Sequence, residues 1–360
     1  MAGDLRPLMR HCCESHHAKT SGARKTESGL SRLGSCMRNP FTALLLATVV
    51  FAPTSKPEIP PNDAVRIREF YRLAAQLQDA VWPGWSGTPA PLLLVTQNAE
   101  FLTHHPSPPK DFQKIGDDLY ARPRQFPTAL QATFPAFGPP SIIVIGEPEN
   151  TEAKTSTPWV FTVMHEHFHQ LQDGRPGLYQ AVGGLDLAHG DNTGMWMLNY
   201  PFPYDNPELG KLFPHLRDLL LTALNEPDLK EFKALARQYL MARKEFFAQL
   251  SPDDRKYLSF QLWKEGIARY VQIKSAEAAA NYQPTPEYAA LPDYETFQSY
   301  AREARSDTLS ELKRADLAIW KRVVVYSLGA SEGLLLDRLH PEWKQRYFSR
   351  LFTLDPYFEY

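Results

Sequence analysis

Cysteine is scarce in this chain. Cys12, Cys13 and Cys36 are the only three among 360 residues, and all precede Met37. From Met37 onward there is none, which excludes a thiol nucleophile, a disulfide framework and a cysteine-ligated metal site from that part of the chain. Long apolar runs are also missing. The longest, Phe41–Ala52, has twelve residues, against the roughly 20 that a membrane-crossing helix requires. Neither sign of charge dominates: 39 Lys and Arg stand against 41 Asp and Glu, a formal net charge of −2, so a nucleic-acid binder built on bulk positive charge is excluded. No internal repeat at solenoid or propeller period is present. What the chain has in quantity is apolar residues (43%), aromatics (12%) and 31 prolines. The apolar content is ample for a packed core. The prolines, crowded into residues 53–150, call for loops and extended segments there.

The N-terminus reads as processing sequence. Residues 1–36 are polar and irregular, as an over-extended N-terminus would be, and Met37-Arg38-Asn39-Pro40 looks like a second start. A basic residue, the short apolar run 41–52 and small residues near Val50 and Ala52 then form a signal peptide over 37–52. The expectation is therefore a secreted or periplasmic protein with no membrane span in the mature chain, stabilised by its core and not by disulfides. Residues 1–52 hold seven basic and three acidic side chains, which leaves the remainder mildly acidic at −6.

Residues 53–63 read as a linker, and 64–360 as one domain in three stretches. In the first, 64–172, Ile67, Phe70, Tyr71, Leu73, Ala74 and Leu77 are spaced for one face of a helix. The runs 91–96 and 141–146 predict strands, and 126–134 is ambiguous between strand and helix. Thr157-Pro158 predicts a helix start through a hydroxyl N-cap and an early proline, and Asp173-Gly174 predicts its end. The second stretch, 173–250, opens with a long irregular segment to residue 206, rich in glycine, proline and aromatics, followed by inserted helices. The third, 251–360, is helical, and helices are expected near 207–224, 227–250, 252–279, 293–306 and 309–340. A small N-terminal sheet, one helix and then a mostly helical C-terminal half make an α+β fold.

The segment His165-Glu166-His167-Phe168-His169 carries the chemistry. Four residues advance a helix by about 400°, so His165 and His169 face the same way one turn apart. Two imidazoles so placed hold one zinc ion, with Glu166 beside the open coordination position as general base. His167 points about 200° away from His165 and reads as a packing residue. A catalytic zinc takes three protein ligands. Without cysteine the third must be His, Asp or Glu, and Glu265 in Trp263-Lys264-Glu265-Gly266-Ile267-Ala268 is the strongest candidate. Gly266 and Ala268 beside it allow that helix to approach another closely.

H-E-x-x-H on one helix and E-G-x-A on a later one resembles the gluzincin group of zinc metallopeptidases, over roughly residues 140–340. The resemblance implies a zincin-like fold, one Zn2+ held by His165, His169 and Glu265, and Glu166 as base. Two departures stand out. The interval of 96 residues from His169 to Glu265 implies an inserted subdomain. Where some gluzincins place an aspartate four residues after the ligand Glu to orient a histidine, this chain has Arg269, so Asp186, Asp191 or a backbone carbonyl is left to do so.

Tyr326, Gly329, Ala330 and Gly333 share one helical face. In several gluzincins a tyrosine some sixty residues after the ligand Glu stabilises the oxyanion, which implies that role for Tyr326; His189, Tyr200, Tyr204 and His215 are rivals, and a plain core tyrosine is the bland alternative. Trp196, Tyr200 and Tyr204 in the aromatic loop are candidates for a substrate-cleft wall, with loop packing as the competing reading, and strand 141–146 could pair with an extended peptide. The expected activity is hydrolysis of a peptide or protein substrate by zinc-activated water. Two alternatives stay open: an inactive metallopeptidase-like protein that binds a peptide or partner, and a zinc hydrolase of a non-peptide amide or ester. Oligomeric state is not legible.

Overall fold

A computed structural model describes residues 57–359; the expected over-extended N-terminus, the expected signal peptide and the three cysteines lie outside the described residues. Helix α1 (Pro61–Val81) opens the domain, starting inside the expected 53–63 linker because Pro61 sits favourably in a first helical turn. Its face of Ile67, Phe70, Leu73 and Ala74 is buried as the spacing requires.

A six-stranded mixed sheet follows, comprising β1 (Leu92–Val95), β2 (Ala99–Thr103), β3 (Gln113–Lys114), β4 (Leu119–Pro123), β5 (Gln131–Phe134) and β6 (Ile142–Gly146). The order is β3-β4-β2-β1-β6-β5. β1 and β6 are parallel, with Leu93 opposite Val144, and the other neighbours are antiparallel. Strand alternation divides the side chains between two apolar layers. Leu92, Leu94, Ile143 and Ile145 join the main core under the helices. Leu93, Val95, Ile142 and Val144 join a smaller cluster with Phe112, Phe126 and Leu130 from the loops. Burial on both faces explains why β1 and β6 read as continuous apolar runs. β2, β3 and β4 carry Glu100, Lys114 and Arg122 and gave no such run; Glu100 and Arg122 are buried as an ion pair, Nε to Oε2 2.7 Å.

Helix α2 (Ser156–Asp173) packs on the sheet beside β5 and β6 and is buried along nearly its whole length. Its N-cap is Thr155, with no side-chain cap bond. The expected cap, Thr157, is already inside the helix, and its hydroxyl donates to the carbonyl of Glu295 at 2.6 Å. The irregular segment holds only the short helices α3 (Leu178–Gly183) and α4 (Trp196–Asn199). The helical half then runs through α5 (Pro207–Asn225), α6 (Leu229–Ala248), α7 (Pro252–Gln261), α8 (Ile267–Ala278), α9 (Pro286–Ala289), α10 (Phe297–Arg314), α11 (Leu317–Trp320), α12 (Val324–Leu339) and α13 (Trp343–Arg346). The fold is α+β with a mostly helical C-terminal half.

Two long expected helices are interrupted. The 252–279 segment contains a π-helical turn, Leu262–Gly266, between α7 and α8. The 309–340 segment breaks between α10 and α12, where Lys321 adopts φ 49°. The end of the π turn, where it leads into α8, crosses α12 at two glycines. A Cβ on Gly266 would meet the Cα of Gly329 at 2.5 Å, and one on Gly329 would meet the Cα of Gly266 at 2.6 Å. Nothing but hydrogen fits at that crossing.

Candidate metal centre

Helix α2 presents His165 and His169 one turn apart, and the π turn presents Glu265 to them. The two Nε2 atoms are 3.1 Å apart. Glu265 Oε2 lies 3.3 Å from His169 Nε2 and 3.8 Å from His165 Nε2. These three form the one group of metal-ligating side chains that converges among the described residues. A π turn adds a residue to the helical repeat and re-aims its side chains, a device common at functional sites; here it lies at the third ligand.

The hydrogen bonding around His169 determines what its Nε2 offers. Gln172 Nε2 faces the carbonyls of Trp263 and Lys264, both at 3.2 Å, and the Tyr347 hydroxyl at 2.8 Å. Only an NH2 group can face two carbonyls, so the Gln172 oxygen points at His169 Nδ1, 2.6 Å away. Nδ1 therefore carries the hydrogen, and in the neutral ring Nε2 offers a lone pair to the centre. Burial alone would lower the affinity of His169 for a proton, but the Glu265 carboxylate outweighs it and holds the group above its ordinary value. At His165 burial wins, and the group is held below its ordinary value. Glu265 is half-buried, which opposes its charge, yet His169 and His165 hold it well below the usual carboxylate range.

Two imidazole nitrogens and a carboxylate oxygen thus aim at one point in a buried setting, an arrangement that a cation satisfies. Bonds of about 2.0–2.1 Å at the tetrahedral angle place zinc ligand atoms roughly 3.3–3.4 Å apart. The observed 3.1, 3.3 and 3.8 Å bracket that value, so the residues fit a metal ion. One feature departs from the usual pattern: His165 Nδ1 is buried without a hydrogen-bond partner among the described residues, whereas metal-bound histidines ordinarily donate from the outer nitrogen.

Glu166 turns the other way along α2, toward the sheet. Its Oε2 is 2.8 Å from the hydroxyl of Thr133 on β5, and that hydroxyl is also 2.9 Å from the Glu166 carbonyl. The general-base candidate is therefore held by a side chain 33 residues away. His165, Glu166, His169 and Glu265 all line a cleft of about 2220 Å3. Tyr326 lines it as well, its ring centroid 6.3 Å from that of His165. Its hydroxyl accepts from Arg322 Nη1 at 3.2 Å, and its hydrogen has no acceptor among the described residues. Burial, then the Glu265 charge, raise the phenol well above its ordinary value, so it stays a donor.

Other expected roles find different places. His167 is a packing residue: 1% exposed, stacked on Trp85, with Nδ1 2.9 Å from Gln170 Oε1 and Nε2 3.1 Å from Gln78 Oε1. Burial pushes it down to about 4. Trp196, Tyr200 and Tyr204 do not line the cleft. Trp196 packs on Phe260, Tyr200 stacks on Tyr257 and donates to Asp254 at 3.0 Å, and Tyr204 packs against Phe202. The rings of Trp196 and Tyr200 fasten the loop to α7 and that of Tyr204 packs within the loop, while Met197, Leu198 and Thr193 of the same segment face the cleft. His189 and His215 are exposed and outside it. Asp191 organises its own loop, accepting from Thr193 and Trp196 backbone N–H groups at 2.7 Å each, and the histidine-orienting group is Gln172. Arg269 pairs with Glu311 at 3.1 Å.

The expectation that strand 141–146 pairs with a peptide is corrected by the topology. β6 lies between β1 and β5, so its ladder is complete on both sides. β5 is one of the two edge strands, and all four of its residues line the cleft.

Gln172, Thr133 and Arg322 were not singled out by the sequence. Gln172 stands three residues after His169 and Arg322 four before Tyr326, so helical spacing signals both. Nothing local marks Thr133. Compared with protein-family models, curated proteins and solved structures, the chain matches none.

Proposed function

We propose that this protein is a zinc-dependent peptidase of gluzincin type, with His165, His169 and Glu265 as ligands and Glu166 as general base. The observation that carries the reading is the position of Glu166: a restrained carboxylate adjoining a three-ligand centre and opening onto a cleft large enough for an extended chain. A protein that only bound a partner would need no such base. Zinc in this centre would act as a Lewis acid and lower the pKa of water to about 7.

The residues of the chain do the rest. Glu166 takes a proton from the attacking water and later gives it to the leaving amine. Thr133 holds the carboxylate in one orientation during both transfers. Tyr326 donates its free hydrogen to the oxyanion that develops on the substrate carbonyl, and Arg322 fixes the phenol that does so. Gln172 keeps the His169 ring in the tautomer that presents Nε2. The exposed edge of β5 beside Glu166 is suited to an extended peptide, whose backbone can add to the sheet.

The test combines metal analysis of the purified protein with hydrolysis of a quenched-fluorescence peptide library by the parent and by Glu166→Gln. One zinc per chain in both, with turnover lost only in the variant, is the expected result. Absence of bound zinc defeats the metal assignment, and unchanged turnover in Glu166→Gln defeats the mechanism.

A further inference from the structure

The three buried arginines among the described residues are each matched with two carboxylates, and the half-buried Arg338 is satisfied by backbone carbonyls. Arg66 pairs with Asp63 at 2.6 Å and Asp293 at 3.1 Å, Arg122 with Glu100 and Asp111 at 2.7 and 2.8 Å, and Arg243 with Glu332 and Asp355, both at 2.6 Å. Arg322 differs. It lines the cleft, yet it has no ion pair among the described residues, and its one hydrogen bond goes to the Tyr326 hydroxyl. Burial works against its charge, but Tyr326 and Glu265 more than offset this and hold the guanidinium firmly protonated. Glu265 itself is committed to the two histidines.

The backbone beside it makes the same point independently. Apolar spacing predicts one continuous helix over 309–340, but the chain breaks after α11, with Lys321 at φ 49° and ψ −128°. A left-handed φ on a lysine is an uncommon conformation, and such outliers cluster at ligand-binding positions. The break places Trp320, Arg322 and Val323 along the cleft. A divalent ion in the triad would use up the charge of Glu265 and leave Arg322 as a cationic donor group facing the substrate, one side chain beyond Tyr326.

We propose that Arg322 is the specificity residue of the cleft and binds a carboxylate that the substrate carries next to the scissile bond. The inference rests on the hydrolase reading for the meaning of "scissile" but not for the binding itself. A planar guanidinium takes a carboxylate through paired N–H donors, a geometry that no ammonium reproduces. Two sources present that chemistry: the terminal carboxylate of a peptide, or the side chain of an internal Asp or Glu.

The experiment is calorimetric titration of zinc-loaded Glu166→Gln protein, in which turnover does not interfere. The probes are acetyl-Ala-Ala-Phe as free acid and as amide, and acetyl-Ala-Ala-Phe-Glu-Ala amide with its Gln counterpart. A charge-assisted contact of this kind predicts that an acid probe binds about 10- to 100-fold more tightly than its neutral partner. The gap closes when Arg322→Gln is added and is partly kept by Arg322→Lys. A preference confined to the free acid identifies a terminal carboxylate, and one confined to the Glu probe identifies an acidic side chain. Equal affinities, a preference that survives Arg322→Gln, or no binding of any probe overturns the proposal. A parent protein that binds the acid probes and hydrolyses no peptide sinks the peptidase reading while leaving Arg322 as the anion site.

Discussion

Gln172 accepts a hydrogen bond from His169 Nδ1 at 2.6 Å while its NH2 group faces two backbone carbonyls of the π turn that carries Glu265. One amide thus ties two of the three ligands together: it sets the tautomer of the histidine and anchors the turn that supplies the carboxylate. Gln172→Leu removes both functions with little change in volume. Metal affinity is expected to fall about 10- to 100-fold, the usual cost of losing a partner behind a ligand, as read by competition with a zinc-chelating dye. Unchanged affinity would mean that the ligands are placed by packing alone.

Thr133→Val leaves the metal ligands untouched and frees the carboxylate of Glu166. A hydrogen bond to a charged group contributes roughly 1.5–3 kcal/mol, so turnover is expected to drop about 10- to 100-fold if the whole of it acts in the transition state. Zinc content should stay at one per chain. Loss of zinc in this variant would show that Thr133 supports the fold and not the base.

Tyr326→Phe deletes one donor and little volume. Removal of an oxyanion donor typically costs 10²–10³-fold in turnover, and the loss here should fall on kcat while peptide affinity and melting temperature hold. A variant as fast as the parent would return Tyr326 to the role of a core tyrosine.

Gly266→Ala places a methyl group 2.5 Å from the Cα of Gly329. The obstruction is backbone, so α8 and α12 must separate, at a cost of at least about 1–3 kcal/mol. Because Glu265 immediately precedes this glycine, its carboxylate must move too. Denaturant melts should show the lost stability, and zinc affinity should fall with it. A variant that melts like the parent would contradict the crossing geometry.

Glu147 supplies a pH dependence away from the metal centre. Burial, then the charges of Asp63 and Glu149, push its carboxyl up to about 7 from an ordinary 4.5. The folded state thus prefers the protonated form. Its contribution to stability is full below 4.5 and is lost as pH rises through about 7. Glu147→Gln should therefore match the parent near pH 5 and exceed it near pH 8 in urea denaturation. A parental advantage at pH 8 would show that ionised Glu147 is stabilising.

The α2 boundaries, the joint orientation of His165 and His169, the opposite placement of His167 and the buried strands β1 and β6 were all legible because each follows from a local period. The small residues beside Glu265 signalled a close approach to another helix, but that the partner is α12 was visible only in the tertiary structure. β2, β3 and β4 were not legible, because polar residues there are satisfied by partners that local sequence does not name. The aromatic loop misled for a related reason. Trp196, Tyr200 and Tyr204 look alike whether they wall a cleft or pin a loop, and only their packing partners, Phe260 and Tyr257 on α7 and Phe202 in the loop itself, separate the two.

The sequence by itself determined two imidazoles at helical spacing with the Glu166 carboxylate beside the first, in a stretch without thiols. Spacing along one helix is rigid geometry, so no tertiary information was needed. The tertiary structure decided which distant groups complete the centre. It brings Glu265 to the histidines across 96 residues, turns it inward with a π turn, sets Thr133 against Glu166 and leaves Arg322 without a carboxylate partner among the described residues. Those relations depend on how α2, β5, α8 and α12 pack around one another, and packing is a property of the whole chain that no local pattern encodes.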